Sequence, residues 1–236
     1  MDIREENLNL IYEKALELIE NKRLSEGREL LEKIYISGNR NVDGLNILGV
    51  ISCLYCEFEE AKKYWKESIE LGDEYNEAYL FLDDINSSDF ESLKDKYKKS
   101  IELIENENYE EAIKIIENIE EERKEFLETK EILSLLYMLK NKQALALSKI
   151  KLALDKDVSN IKFKSIYENI KNNIISKEEK NGSLDYDLAL NFTFSEVILN
   201  LIMILNYKIN EVYEEEIKLQ NEKIYELEKR LELKEI

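Results

Sequence analysis

The sequence predicts an all-α fold, a solenoid of antiparallel helix pairs followed by a long C-terminal helix. Three observations carry that expectation. The 236 residues include no proline and only six glycines, so long stretches run without a helix breaker. Their apolar residues recur at three- and four-residue spacing, as in Leu8, Ile11, Leu18 and in Ile101, Ile104, Ile113, Ile116, instead of alternating. Residues 11–34 also align without gaps on residues 96–119, with ten identities in 24, and an internal repeat of this size decides the architecture.

Turn-like clusters divide the helical stretches at Ser37-Gly38-Asn39-Arg40-Asn41, Leu71-Gly72-Asp73, Ser87-Ser88-Asp89, Asp155-Lys156-Asp157 and Asn181-Gly182-Ser183. Between them a 34-residue frame starts at Leu8, Val42, Leu93 and Leu127. Its eighth position carries Ala15, Gly49, Ser100 and Ser134, and its twentieth carries Gly27, Ala61, Ala112 and Ala146. Small residues at both places let two antiparallel helices approach closely, while Leu31, Trp65, Ile116 and Ile150 at the twenty-fourth position fill the space between them.

The pattern resembles the tetratricopeptide repeat family, most clearly in the second unit, where Leu45, Leu48, Gly49, Phe58, Ala61 and Trp65 stand in LNILGVISCLYCEFEEAKKYWKESIELGD. The resemblance covers roughly residues 8–160. It departs from the family pattern at the helix-ending proline, replaced by Asn39, Asp73 and Val158 in three units. It departs again at the fourth position of two units, where Lys96 and Lys130 replace a large apolar residue.

The seventh position separates the units further, with Leu48 and Leu133 in the second and fourth but Lys14 and Lys99 in the first and third. A lysine fits where no preceding repeat packs. The expected organisation is therefore a first module over 1–92, closed by a half-unit helix at about 76–86, and a second over 93–180, closed by a helix at about 161–177. One continuous solenoid with a half-repeat irregularity is the alternative. The remainder, 181–236, is a separate C-terminal segment.

That segment opens on an apolar run. Val197, Ile198, Leu201, Ile202 and Leu205 belong to nine residues that are apolar except for Asn200, and such a helix needs burial on more than one side. The run is far shorter than the roughly 20 residues a membrane span requires, so no span is expected. Beyond it, Leu205, Ile209, Tyr213, Ile217, Gln220, Ile224, Leu227 and Leu231 follow close to a heptad seam with one stutter. Two uses are open: docking in cis onto the chain's own repeats, or a coiled coil that makes a homo-oligomer.

Composition narrows the chemistry. Without histidine and with two cysteines, no His-based triad, His-ligated metal site or four-cysteine zinc site can form within one chain, and no cofactor or metal is expected. Cys53 and Cys56 form a CxxC at the end of a first helix, followed by Glu57, Glu59 and Glu60, a setting that does not favour a thiolate. No phosphate loop, nucleophile elbow or kinase-like motif occurs, so no catalytic residue is assigned and no enzyme is expected. The acidic N-terminus lacks a basic region followed by an apolar run, and two cysteines make no disulfide framework; the cytoplasm is the expected location. The net charge is −18, yet residues 129–177 hold ten lysines and four acids. Those lysines are spread over several helices and include no arginine, which reads as a solvated face and not as a nucleic-acid site.

The family resemblance implies a superhelix whose concave face, built from the first helix of each unit, holds peptides or helices of partner proteins. The family's chaperone-binding members clamp a carboxylate with Lys and Asn at the fifth and ninth positions of the first helix; here Tyr12 and Leu16 stand there, and Glu77 occupies a later clamp position. The expected groove is apolar instead. It comprises Tyr12, Leu16, Ile19, Val50, Cys53 and Leu80 in the first module and Tyr97, Ile101, Ile104, Leu135 and Met138 in the second. The expected function is a non-enzymatic adaptor holding a helical or peptide partner. The alternative is a structural, self-assembling protein whose C-terminal coiled coil forms homo-oligomers.

Overall fold

In the computed structural model, residues 3–72 and 75–179 are described. They form α1 (Ile3–Glu20), α2 (Leu24–Ile36), α3 (Val42–Leu54), α4 (Phe58–Glu70), α5 (Ala78–Ile85), α6 (Ser88–Glu105), α7 (Tyr109–Glu122), α8 (Leu127–Leu139), α9 (Gln143–Leu154) and α10 (Ile161–Glu179). No strand occurs among the described residues. The apolar run and heptad-like seam expected between residues 197 and 231 lie outside them.

The architecture is an all-α solenoid of the tetratricopeptide-like kind, with α1 packed on α2, α3 on α4, α6 on α7 and α8 on α9. The 34-residue frame is written into the backbone. Lys22, Cys56, Glu107 and Asn141, each the fifteenth residue of its unit, take left-handed φ values of 59°, 56°, 59° and 57°. Each ends a first helix with the same pair of bonds: Lys22 N–H donates to Ile19 O and Arg23 N–H to Leu18 O, and the equivalent bonds recur in the other three units. This is the Schellman closure, which satisfies carbonyls left over at a helix C-terminus. Gly38 and Gly72, the thirty-first residues of the first two units, supply the other left-handed turns, at φ 85° each.

Packing follows the small positions. Ala15, Ser100 and Ser134 at the eighth position, and Ala61, Ala112 and Ala146 at the twentieth, are fully buried. A β-carbon on Gly49 would lie 2.2 Å from Trp65 Nε1, so the second unit's close crossing admits hydrogen alone. Trp65 is held there by a hydrogen bond from Nε1 to Asn46 O (3.2 Å) and by the Phe81 ring, 5.1 Å away. Between the first two units Ala15, Leu31 and Ile34 pack with Leu45, Leu48 and Tyr64 to make a shared core. The seventh-position lysines Lys14 and Lys99 are exposed, whereas Leu48 and Leu133 are buried.

One boundary and one packing detail differ from the sequence expectation. The third unit's first helix starts at Ser88, not Leu93, because the Ser87 side chain accepts from Phe90 N–H at 3.2 Å and caps the helix there. The 92/93 division therefore lies inside α6. The fourth-position lysine of the last unit is buried, its ammonium turned onto Lys124 O (2.6 Å) and Phe126 O (2.9 Å), with Glu120 at 3.7 Å. Backbone carbonyls thus replace the apolar contact the family pattern places there.

Candidate functional site

Contacts join the first and last units. Asp157, fully buried in the turn before α10, accepts from Tyr55 OH (2.6 Å), Ser25 N–H (3.1 Å) and the Ser25 hydroxyl through one oxygen, and from Ser159 N–H (3.2 Å) and Oγ (2.7 Å) through the other. Burial on its own would raise the pKa of Asp157, but these hydrogen bonds outweigh it and hold the carboxylate below its usual value. Tyr55 is shifted the opposite way, by burial and by the facing Asp157 charge. Asn160 donates to Tyr55 OH at 3.0 Å, Val158 N–H to Lys22 O at 2.8 Å, and Tyr55 stacks on Phe163 at 6.1 Å.

The same carboxylate completes α2. The N-cap residue of that helix, Arg23, makes no side-chain cap, so Ser25 N–H finds its acceptor across 132 residues of chain, and Glu26 N–H finds Ser159 Oγ at 3.3 Å. A second joint forms beside α6. Phe58 lies 5.3 Å from Phe90, 6.0 Å from Tyr97 and 5.7 Å from Phe126, and Arg123 pairs with Asp84 at 2.8 Å while its guanidinium lies 5.1 Å from the Phe90 ring centroid.

These joints decide how the expected groove residues are presented. Tyr12, Leu16 and Ile19 on α1 and Cys53 on α3 are half-buried, Val50 is exposed, and Leu80 on α5 is 72% exposed. In the second set, Tyr97, Ile101, Ile104 and Leu135 are buried and Met138 is half-buried. Tyr97 in particular packs edge-on against Phe58. Of the expected groove residues, the more accessible ones thus lie mainly on α1, α3 and α5. Tyr12 also edges a small cleft between the first two units, with Tyr35, Arg40, Asn41 and Gly44 on its other walls. Burial, and then the Asp43 charge, raise the Tyr12 pKa.

The CxxC is a structural element of this region. Neither thiol is in a disulfide, and Cys56 is buried in the left-handed turn. Burial pushes the Cys53 thiol up to about 12, with Glu125 and Asp84 adding to the rise and Arg123 opposing it, so it stays protonated at neutral pH.

On α8, residues 127–137 are all buried, including Glu128, Lys130 and Glu131. Glu131 pairs with Lys162 at 2.7 Å, yet burial keeps its pKa raised. Burial likewise lowers Lys130.

Sequence reading did not single out Asp157, Ser25, Tyr55 and Asn160. A signal was there. Asp157 and Arg123 stand at the thirty-first position, where the first two units carry glycine, and both make contacts back to the first half.

No protein-family model matches the chain, and no curated protein matches it. Among solved structures it is similar to MamA RS-1 (ArsTM double mutant), at 13% identity and a TM-score of 0.33, covering 85% of this chain and 95% of that one. It is also similar to MamA AMB-1, at 14% identity and a TM-score of 0.30, covering 79% of this chain and 98% of that one. Among the described residues no helix is long and apolar enough to cross a membrane.

Proposed function

We propose that this protein is a non-enzymatic adaptor, active in the cytoplasm, that holds an amphipathic helix or extended peptide of a partner protein along the first helices of its N-terminal half. One observation carries the reading: Val50 and Leu80 are exposed, and Tyr12, Leu16, Ile19 and Cys53 half-exposed, on successive first helices. The equivalent residues on α6 and α8 are mostly buried. An apolar stripe of this length suits a partner helix read at three- and four-residue spacing.

The proposal treats 1–92 and 93–180 as two modules latched together by Asp157 and Arg123. The seventh-position lysines Lys14 and Lys99 support it, since they are exposed on the first helix of each half where Leu48 and Leu133 are buried on the following one. It assigns residues 181–236 to self-docking or to oligomerisation, on the strength of the apolar Val197–Leu205 run. Light scattering of the full chain and of a truncation ending at Asn181 separates the two uses. A monomer in both cases supports docking in cis; a full-length dimer that becomes monomeric on truncation supports assembly.

The adaptor reading is tested by quantitative affinity purification of the full chain and its Leu80→Asp variant from native cells. The expected result is a partner retained by the parent and lost by a variant of unchanged melting temperature. Identical co-purifying proteins would contradict it.

A further inference from the structure

On α9 the eighteenth, nineteenth, twenty-second, twenty-fifth and twenty-sixth frame positions, Ala144, Leu145, Ser148, Lys151 and Leu152, are all exposed, whereas on the other second helices several of these positions are half-buried. The nineteenth is Glu26, Glu60 and Glu111 in the first three units but Leu145 in the fourth; the twenty-sixth is Lys33, Glu67 and Asn118 but Leu152. Both leucines are about half exposed, at 48% and 47%. They stand two helical turns apart on one face of α9, about 10 Å along its axis, with exposed Ser148 between them. A solvated face has no need of leucine at positions that three sister helices fill with charged or amide side chains.

The charge around this face is equally specific. From Ile132 to Leu154 the sequence has no acid, and Lys140, Lys142, Lys149 and Lys151 lie within it. Lys142, Lys151, Lys156 and Lys164 are exposed and make no ion pair among the described residues. Pairing α9 with α9 of a second copy would set lysine against lysine. An anionic lipid surface, being broad, would also meet the acidic remainder of a chain of net charge −18, whereas a single helix meets this face alone.

We infer that the outer face of α9 is a second docking surface, distinct from the stripe on the first helices, whose occupant is an acidic amphipathic helix of a partner protein. Its apolar seam covers Leu145 and Leu152, and its flanking carboxylates meet Lys142, Lys151 and Lys156.

The test titrates the full chain with two labelled synthetic helical peptides sharing one Leu/Ile seam, one flanked by Glu and one by Lys, and with phosphatidylcholine vesicles containing phosphatidylserine. The variant L145E/L152K gives α9 the residue types of the first unit, Glu26 and Lys33, at two exposed positions, so its melting temperature should match the parent's. The acidic peptide should bind the parent in a salt-sensitive way and the variant at least about tenfold more weakly, while the basic peptide and the vesicles do not bind. Equal affinity for parent and variant, equal binding of both peptides, no saturable binding of the acidic peptide, or Leu-dependent vesicle binding would each overturn the inference. Binding lost in Leu80→Asp but kept in L145E/L152K would place the peptide on the first helices, overturning this inference while leaving the adaptor reading intact.

Discussion

The Asp157 carboxylate and the Tyr55 hydroxyl meet at 2.6 Å, a contact between the turn that ends the fourth unit and the turn inside the second. A solenoid normally contacts only its neighbouring repeats. Here one buried carboxylate ties the last repeat to the first two, and it also supplies the acceptor that the first unit's second helix lacks.

Removing that carboxylate strands several donors at once. Asp157→Ala should cost about 2–3 kcal/mol, because Ser25 N–H and Tyr55 OH lose their acceptor inside a buried site. Tyr55→Phe should cost about 2 kcal/mol, since it removes the donor to Asp157 and the acceptor of Asn160. A double-mutant cycle by chemical denaturation should show coupling between the two; strict additivity would remove the energetic link.

Acid should act on Asp157 and Glu131 with opposite signs. The folded pKa of Asp157 is depressed, so its contribution is present above its unfolded pKa of about 3.9 and is lost as pH falls through the lower folded value. The parent should therefore lose more stability between about pH 5 and pH 2 than Asp157→Asn. Glu131 is raised by burial, so its contribution is complete below its unfolded pKa of about 4.3 and declines as pH rises through the higher folded value. Glu131→Gln should gain relative to the parent on going from pH 4 to pH 8, as read from melting curves. Parallel pH profiles for parent and variants would refute both assignments.

The left-handed turns make a ranked prediction. Lys22→Gly and Glu107→Gly should each stabilise by about 0.5–1 kcal/mol, the relief of a β-carbon at positive φ less the extra chain entropy of glycine. Asn141→Gly should gain less, since asparagine tolerates this conformation. Differential scanning calorimetry gives the order directly.

Close crossings supply the fourth prediction. Gly49→Ala should cost about 2–3 kcal/mol, because the new methyl meets the Trp65 ring, which Phe81 and Asn46 hold in place. Gly27→Ala should also destabilise, since its new methyl would lie 2.5 Å from Ile19 Cγ1 and 3.0 Å from the Ala15 carbonyl oxygen. Ala61→Leu should overpack the same crossing by about 1–3 kcal/mol. An unchanged melting temperature in all three would count against the repeat frame.

The repeat was legible because it is local: Ala15, Gly49, Ala61 and Trp65 recur at fixed spacing, and so do the turns they imply. The latch was not, because nothing near Asp157 in sequence indicates Ser25 or Tyr55, and hydrophobic periodicity carries no information about polar contacts across 132 residues. For the same reason the groove residues looked alike in sequence, whereas Tyr97 is covered by Phe58 and Leu80 is left open. The start of α6 was missed for a local reason: Ser87 reads equally well as part of a turn and as the cap it is.

The central claim, that a partner lies along the first helices of the N-terminal half, is tested most directly by placing a photo-crosslinking phenylalanine at Leu80 or, as a control, at outward-facing Glu29 in the full chain, and irradiating native cells. One discrete adduct of this chain with a partner is expected from position 80 and none from position 29. No adduct from position 80, or the same adduct from both positions, would contradict it.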